Sequence, residues 1–131
     1  MRGIYLLILK LRTDKEISIG RLGRIKFKKG SYLYVGSAQN GISQRIRRHY
    51  RKNKKLLWHI DYLLSVAKIE QVWIREGKGE CILADDISRL GLGGIKRFGC
   101  SDCRCFTHLF YIHGNLEKVK QFLCFKNFSN M

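Results

Sequence analysis

The chain opens with an unbroken apolar run, Ile4-Tyr5-Leu6-Leu7-Ile8-Leu9, and any fold it adopts must take that run out of water. A positive start followed by an apolar stretch is also how a secretory leader begins. Here Lys10 and Arg12 interrupt the run early and no small-residue cleavage site follows. The run therefore predicts a first, buried strand over residues 3–11. Nowhere does the sequence stay apolar for the roughly 20 residues of a spanning helix, so a membrane is not expected as a partner.

With 131 residues, 45% of them hydrophobic, the expectation is one domain around one core, in which residues 95–131 form a cysteine-containing C-terminal extension. Proline is absent, so boundaries are read from glycine and periodicity. A short hairpin is predicted at 17–19 and 24–27 around Gly20 to Gly23, and a further strand at Tyr32 to Gly36; these form a small antiparallel sheet. Gly41 to Lys52 reads as a helix with Ile42, Ile46 and Tyr50 inward, and Leu56 to Ala67 as a second. Strand Ile69 to Ile74, helix Glu80 to Leu90, strand Phe106 to Ile112 and a helix near Leu116 to Phe125 follow. The predicted class is α+β, a small central antiparallel sheet flanked by helices. Five cysteines, three of them between 100 and 105, do not resemble a disulfide framework and point to the reducing cytoplasm.

Lys and Arg number 26 against 10 Asp and Glu, a net charge of +16 that costs self-repulsion unless a polyanion relieves it. Nucleic acid is the leading partner, and the sequence identifies no protein partner. Arg45, Arg47, Arg48, Arg51, Lys52, Lys54 and Lys55 crowd into residues 45–55 with His49 among them. No acidic residue lies there to form the i,i+4 pairs of a merely solubilising helix. Arg47, Arg48, His49, Arg51, Lys52, Lys54 and Lys55 are thus candidate phosphate contacts, which position a ligand without reading its sequence.

Cutting is argued by the order of the polar residues. Gly3-Ile4-Tyr5 opens the chain, Tyr34-Val35-Gly36 stands on a later strand, and Arg45 follows in the next helix. His59 lies in Trp58-His59-Ile60-Asp61-Tyr62 and Glu80 in Gly79-Glu80-Cys81. This ordered set resembles the GIY-YIG nuclease family, whose signature is two such tripeptides on adjacent strands followed by a helix bearing an arginine. The later residues Phe98 to Cys105 and His108 to Tyr111 resemble the stand-alone Uri-type members. The resemblance implies a metal-dependent endonuclease, acting on DNA in preference to RNA, with Tyr5, Tyr34, Arg45, His59 and Glu80 catalytic and Glu80 the single protein ligand of one Mg²⁺ or Mn²⁺ ion.

Those residue types suit the reaction. Phosphodiester hydrolysis needs a deprotonated water in line with the leaving oxygen, and stabilisation of charge on the phosphoryl oxygens. Glu80 is a hard oxygen ligand at a helix start, suited to an ion that keeps most of its waters. Arg45 offers a permanently charged fork to nonbridging oxygens. A tyrosine acts as general base only if a neighbouring cation lowers its pKa, so His59 is the more ordinary proton relay, with His49 a substitute in the same region.

Cys100, Cys103, Cys105 and His108 have the ligand types of a Cys₃His zinc site at tighter spacing than usual, and Cys81 is an alternative fourth ligand to Cys100. A reduced cysteine cluster holding a loop is the competing reading. For the whole chain the competing reading is a basic nucleic-acid-binding protein without catalysis, for which a pI near 10.0 is ordinary.

Overall fold

A computed structural model describes residues 2–131. In chain order its elements are β1 (Gly3–Leu11), β2 (Lys15–Ser18), β3 (Arg24–Phe27), β4 (Gly30–Ala38), α1 (Ile42–Tyr50), α2 (His59–Leu63), β5 (Lys68–Glu76), α3 (Glu80–Ser88), β6 (Gly93–Gly94), β7 (Leu109–Tyr111), α4 (Leu116–Phe125) and β8 (Ser129–Asn130). Six strands form one antiparallel sheet in the order β6-β7-β4-β1-β5-β8, and β2 pairs with β3 in a separate ribbon.

The apolar run of β1 is explained by burial on both faces. Tyr5, Leu7, Leu9 and Leu11 enter one core with α1, α2 and the ribbon. Ile4, Leu6 and Ile8 enter a second core with α3 and α4 on the opposite face. A strand covered on both sides has no position that favours a polar residue, so the period-2 alternation of a half-exposed strand is absent. The α+β class is as expected.

Several boundaries differ from the sequence reading. The ribbon packs against the central sheet instead of extending it. The second helix shrinks to α2, because the Asp61 carboxylate accepts the N–H groups of Leu57 and Trp58 and starts the helix there; Leu56 is left exposed. Strand β7 begins only at Leu109, since the His108 N–H bonds to Phe98 O, away from the sheet ladder. Residues 95–131 supply β7, β8 and α4 to the same sheet and its second core.

Candidate active site

The β1–β4 register sets Tyr5 opposite Gly36. A β-carbon on Gly36 would collide with Cζ and the hydroxyl of Tyr5, so the glycine of Tyr34-Val35-Gly36 is the residue that lets the Tyr5 ring lie across the neighbouring strand. Tyr34, two positions earlier, shares that face, with the ring centroids 6.4 Å apart. Onto this pair α1 lowers His49, whose Nε2 is 2.7 Å from the Tyr5 hydroxyl. His49 is 2% exposed. It completes the inward stripe that begins with Ile42 and Ile46, while Tyr50, expected inward, is 53% exposed. The His49 assignment as a phosphate contact is therefore corrected: its Nε2 is engaged by the Tyr5 hydroxyl, and burial keeps the ring from carrying the charge a phosphate would need.

Burial pushes the Tyr5 phenol up to about 12, and the adjacent Arg45 charge offsets only part of the shift. Burial also holds Tyr34 well above the ordinary phenol value, with Tyr5 and Glu80 adding to it. For His49, burial and then the Lys54 cation lower the pKa to about 4. Between these limits both partners are neutral, so the phenol is the better donor and the imidazole the better acceptor. Nδ1 of His49 is buried without a partner among the described residues. Arg45 is the neighbouring cation on which a tyrosinate base depended, and its charge loses to desolvation.

A pH dependence of stability follows. His49 falls from 6.5 to about 4 on folding, so between those values the unfolded chain binds a proton that the native state does not. Stability is expected to be flat above about pH 6.5 and to drop as the pH falls towards 4. Thermal melts across this range should show the drop, and His49→Phe, which cannot titrate, should reduce it to the share that His59 contributes; an unaltered profile in that variant would contradict the assignment.

Two guanidinium groups lie over the Trp58 ring, with Cζ of Arg45 4.5 Å and Cζ of Arg48 4.2 Å from its centroid. Arg45 also donates from Nη1 to Ser37 O at 3.1 Å, which aims its fork towards Tyr5 at the end of β4. Arg48 is held differently, donating to both oxygens of Asp61 at 2.8 and 3.0 Å. Burial pulls the Asp61 carboxyl up, but the Arg48 fork and the N–H groups of Trp58 and Leu57 outweigh it and hold the pKa below its usual value. Lys54 donates from Nζ to the carbonyls of Arg48 and His49, capping α1. Arg48 and Lys54, read from sequence as phosphate contacts, are thus engaged within the chain. Arg47, Arg51, Lys52 and Lys55 are exposed and pair with no carboxylate among the described residues.

His59 is not part of the tyrosine cluster. Its Nδ1 accepts the Gly99 N–H at 2.8 Å, Nε2 is 3.4 Å from the Ser101 hydroxyl, and its ring packs on Phe98 with centroids 5.6 Å apart. Burial and then Arg97 lower its pKa. The geometry gives His59 the work of holding the 98–101 loop, and it is His49 that meets Tyr5. Glu80 heads α3, its side chain about one-third exposed, beside a cleft of about 140 Å³ that Gly3, Ser37 and Gly79 also line.

Beyond Glu80 stand Cys81, Cys103, Cys105 and His108, whose ligand atoms all lie within 4.8 Å of one another, a group that could hold a metal ion. His108 Nδ1 is 3.1 Å from Val35 O, to which it can donate; this leaves Nε2 facing the sulfurs of Cys103 at 3.5 Å and Cys81 at 3.9 Å. Fixing the far ring nitrogen on a carbonyl is how a ligating histidine is oriented. Burial, reinforced by the neighbouring thiols, pushes the Cys81 thiol up to about 12, so metal binding must expel its proton. Cys100 is corrected: it is buried with its thiol towards Phe98 O and lies outside the group, and Cys81 takes its place.

No described helix is long and apolar enough to cross a membrane. Comparison with curated proteins and with solved structures returns no match. A family model described as "Domain of unknown function DUF123" matches residues 4–128, a span holding the tyrosine pair, Arg45, His49, Glu80 and the cysteine group. The chain belongs to this DUF123 family, a GIY-YIG-like family.

Proposed function

We propose that this protein is a metal-dependent endonuclease of the stand-alone Uri type, hydrolysing phosphodiester bonds in nucleic acid, DNA in preference to RNA, in a reducing cytoplasm. The observation that carries the reading is the Tyr5–His49 hydrogen bond of 2.7 Å beside Arg45 and Glu80. A protein that only bound nucleic acid would have little use for a buried phenol–imidazole pair within the field of the Arg45 guanidinium and the Glu80 carboxylate.

Glu80 suits a Mg²⁺ or Mn²⁺ ion, being one hard ligand beside a cleft with room for the ion's waters. When bound, such an ion supplies Lewis-acid stabilisation of the developing negative charge. The remaining chemistry belongs to the chain. Tyr5 receives the proton of the attacking water as its own passes to Nε2 of neutral His49, so no tyrosinate need exist beforehand. Tyr34 packs beside Tyr5 on the same face of the sheet, with ring centroids 6.4 Å apart, and walls the phenol on that side. Arg45, stacked on Trp58 and tied to Ser37 O, offers its fork to the nonbridging oxygens. For the cysteine group, three sulfurs and an imidazole favour Zn²⁺, which would pin the start of α3 next to Glu80.

The test is incubation of the purified protein with plasmid, single-stranded DNA, branched DNA and structured RNA, with Mg²⁺, Mn²⁺ or EDTA. Cleavage of at least one substrate with either metal, lost in EDTA and restored by re-addition, is the expected result; binding without cleavage under all conditions would leave the basic binding protein as the better reading. Zinc is checked separately. Native mass spectrometry should find one Zn²⁺ per chain, and Cys103→Ser should lose it and melt several degrees lower, because metal bound only by the folded state stabilises it. A metal-free wild type would remove the zinc assignment.

A further inference from the structure

The end of the sheet remote from Tyr5 carries a concentration of charge that the candidate active site does not use. A cavity of about 630 Å³ runs from His49 and Tyr50 at the end of α1 to Lys10, Arg12, Lys15, Arg51, Lys52 and Lys68, with no carboxylate among its lining residues. All six cations are exposed, and none forms an ion pair among the described residues. Lys10 and Lys68 are directly opposed across β1 and β5, an arrangement of like charges that destabilises a sheet. The C-terminal carbonyls of α1, which would repel an anion, are covered by the Lys54 ammonium.

A second cavity of about 560 Å³ shares Lys10 and Arg12 and adds Lys28, Lys29 and His113. Its one carboxylate, Asp14, already accepts the Lys29 N–H at 2.8 Å. Together the two cavities form a continuous basic groove. Each is of the size that binds ligands, where pockets run about 300–1,000 Å³. So many unneutralised cations around one concavity focus a positive potential that an anion relieves.

We propose that this groove binds the phosphodiester backbone of a nucleic-acid segment flanking the bond to be cut, as an anchoring site that adjoins the tyrosine cluster at His49 and leads away from it to Lys10. The partner identity rests on the nucleic-acid reading above. Lys10 stands five positions beyond Tyr5 along β1, so at about 3.3 Å per residue the part of the groove around Lys10 lies about 17 Å from the site. That distance corresponds to about five base pairs of duplex at 3.4 Å per phosphate along one strand. A substrate must therefore extend beyond a few nucleotides to use it.

The experiment compares wild type with two charge-removing pairs, Lys10→Gln with Lys68→Gln, and Arg51→Gln with Lys52→Gln. Salt-dependent binding and single-turnover cleavage are measured on DNA with either 3 or about 15 nucleotides flanking the cut. Each pair is expected to weaken binding of the long substrate about 10- to 100-fold near 0.1 M salt and to lower the salt slope by between one and two. For the Lys10/Lys68 pair, binding of the short substrate and the cleavage rate at saturation should be unchanged. The Lys10/Lys68 variant should melt no lower than wild type, since it removes a like-charge pair.

Cleavage by wild type with unaltered long-substrate affinity and slope in both variants overturns the groove alone. Binding of DNA by wild type without cleavage, still lost in the variants, supports the groove and counts only against the catalytic reading. If the substitutions abolish binding to phosphatidylserine vesicles and leave DNA binding intact, the groove faces a membrane and the proposal fails.

Discussion

Glu80→Gln is expected to abolish cleavage while leaving nucleic-acid affinity unchanged or slightly higher. The carboxylate is proposed to be the sole protein ligand of the catalytic ion, and the neutral amide lacks the charge that holds a hard divalent cation. Losing the ion removes stabilisation worth several kcal/mol, on the order of 10³-fold or more in rate. Affinity moves the other way because a negative charge leaves a surface that meets phosphate. Glu80 Oε2 is 3.8 Å from His108 Nδ1, so the variant's melting temperature and zinc content need to match wild type before its rate is interpreted. Cleavage at the wild-type rate in Glu80→Gln would sink the assignment, as would undiminished activity in excess EDTA.

Arg45→Lys should lower turnover about 100-fold or more, equivalent to about 2.7 kcal/mol of transition-state stabilisation, with binding almost unaltered. Lysine keeps the charge and loses the fork, the planar stack on Trp58 and the pre-set aim provided by Ser37 O. A contrast comes from Arg51, which is exposed and unpaired among the described residues: Arg51→Ala should weaken binding and reduce the salt slope by about one while leaving the saturated rate intact. Lys54 is a poor control for that purpose, since its ammonium caps α1 and supports His49. Single-turnover cleavage of Arg45→Lys at the wild-type rate under saturation would reduce Arg45 to one more phosphate contact.

Much of the fold is written locally. The apolar run of β1 and the helix start at Glu80 each follow from residues close together in the chain, and the structure keeps both, as it keeps Ile42 and Ile46 inward on α1. The short edge strands β6 and β8 could not be read this way, because two-residue segments pair only when a longer neighbour offers its edge. The site was less legible. His49 and Tyr50 are consecutive, about 100° apart around α1, and an apolar-spacing argument favours the tyrosine for the inward slot. Packing reverses that choice, since the wall of the sheet facing α1 there is a phenol needing a hydrogen-bond partner, which imidazole supplies.

The sequence by itself determined the class, the central strand and the excess of positive charge, because these depend on composition, period and short spacing. Only the tertiary structure decided which histidine meets Tyr5, which basic residues are committed to Asp61 or to helix capping, and that Cys81 joins Cys103, Cys105 and His108 while Cys100 does not. Each of these is a contact between segments distant along the chain. Such contacts depend on how each helix is rotated about its own axis and where its end meets the sheet, and that is set by the whole core packing at once.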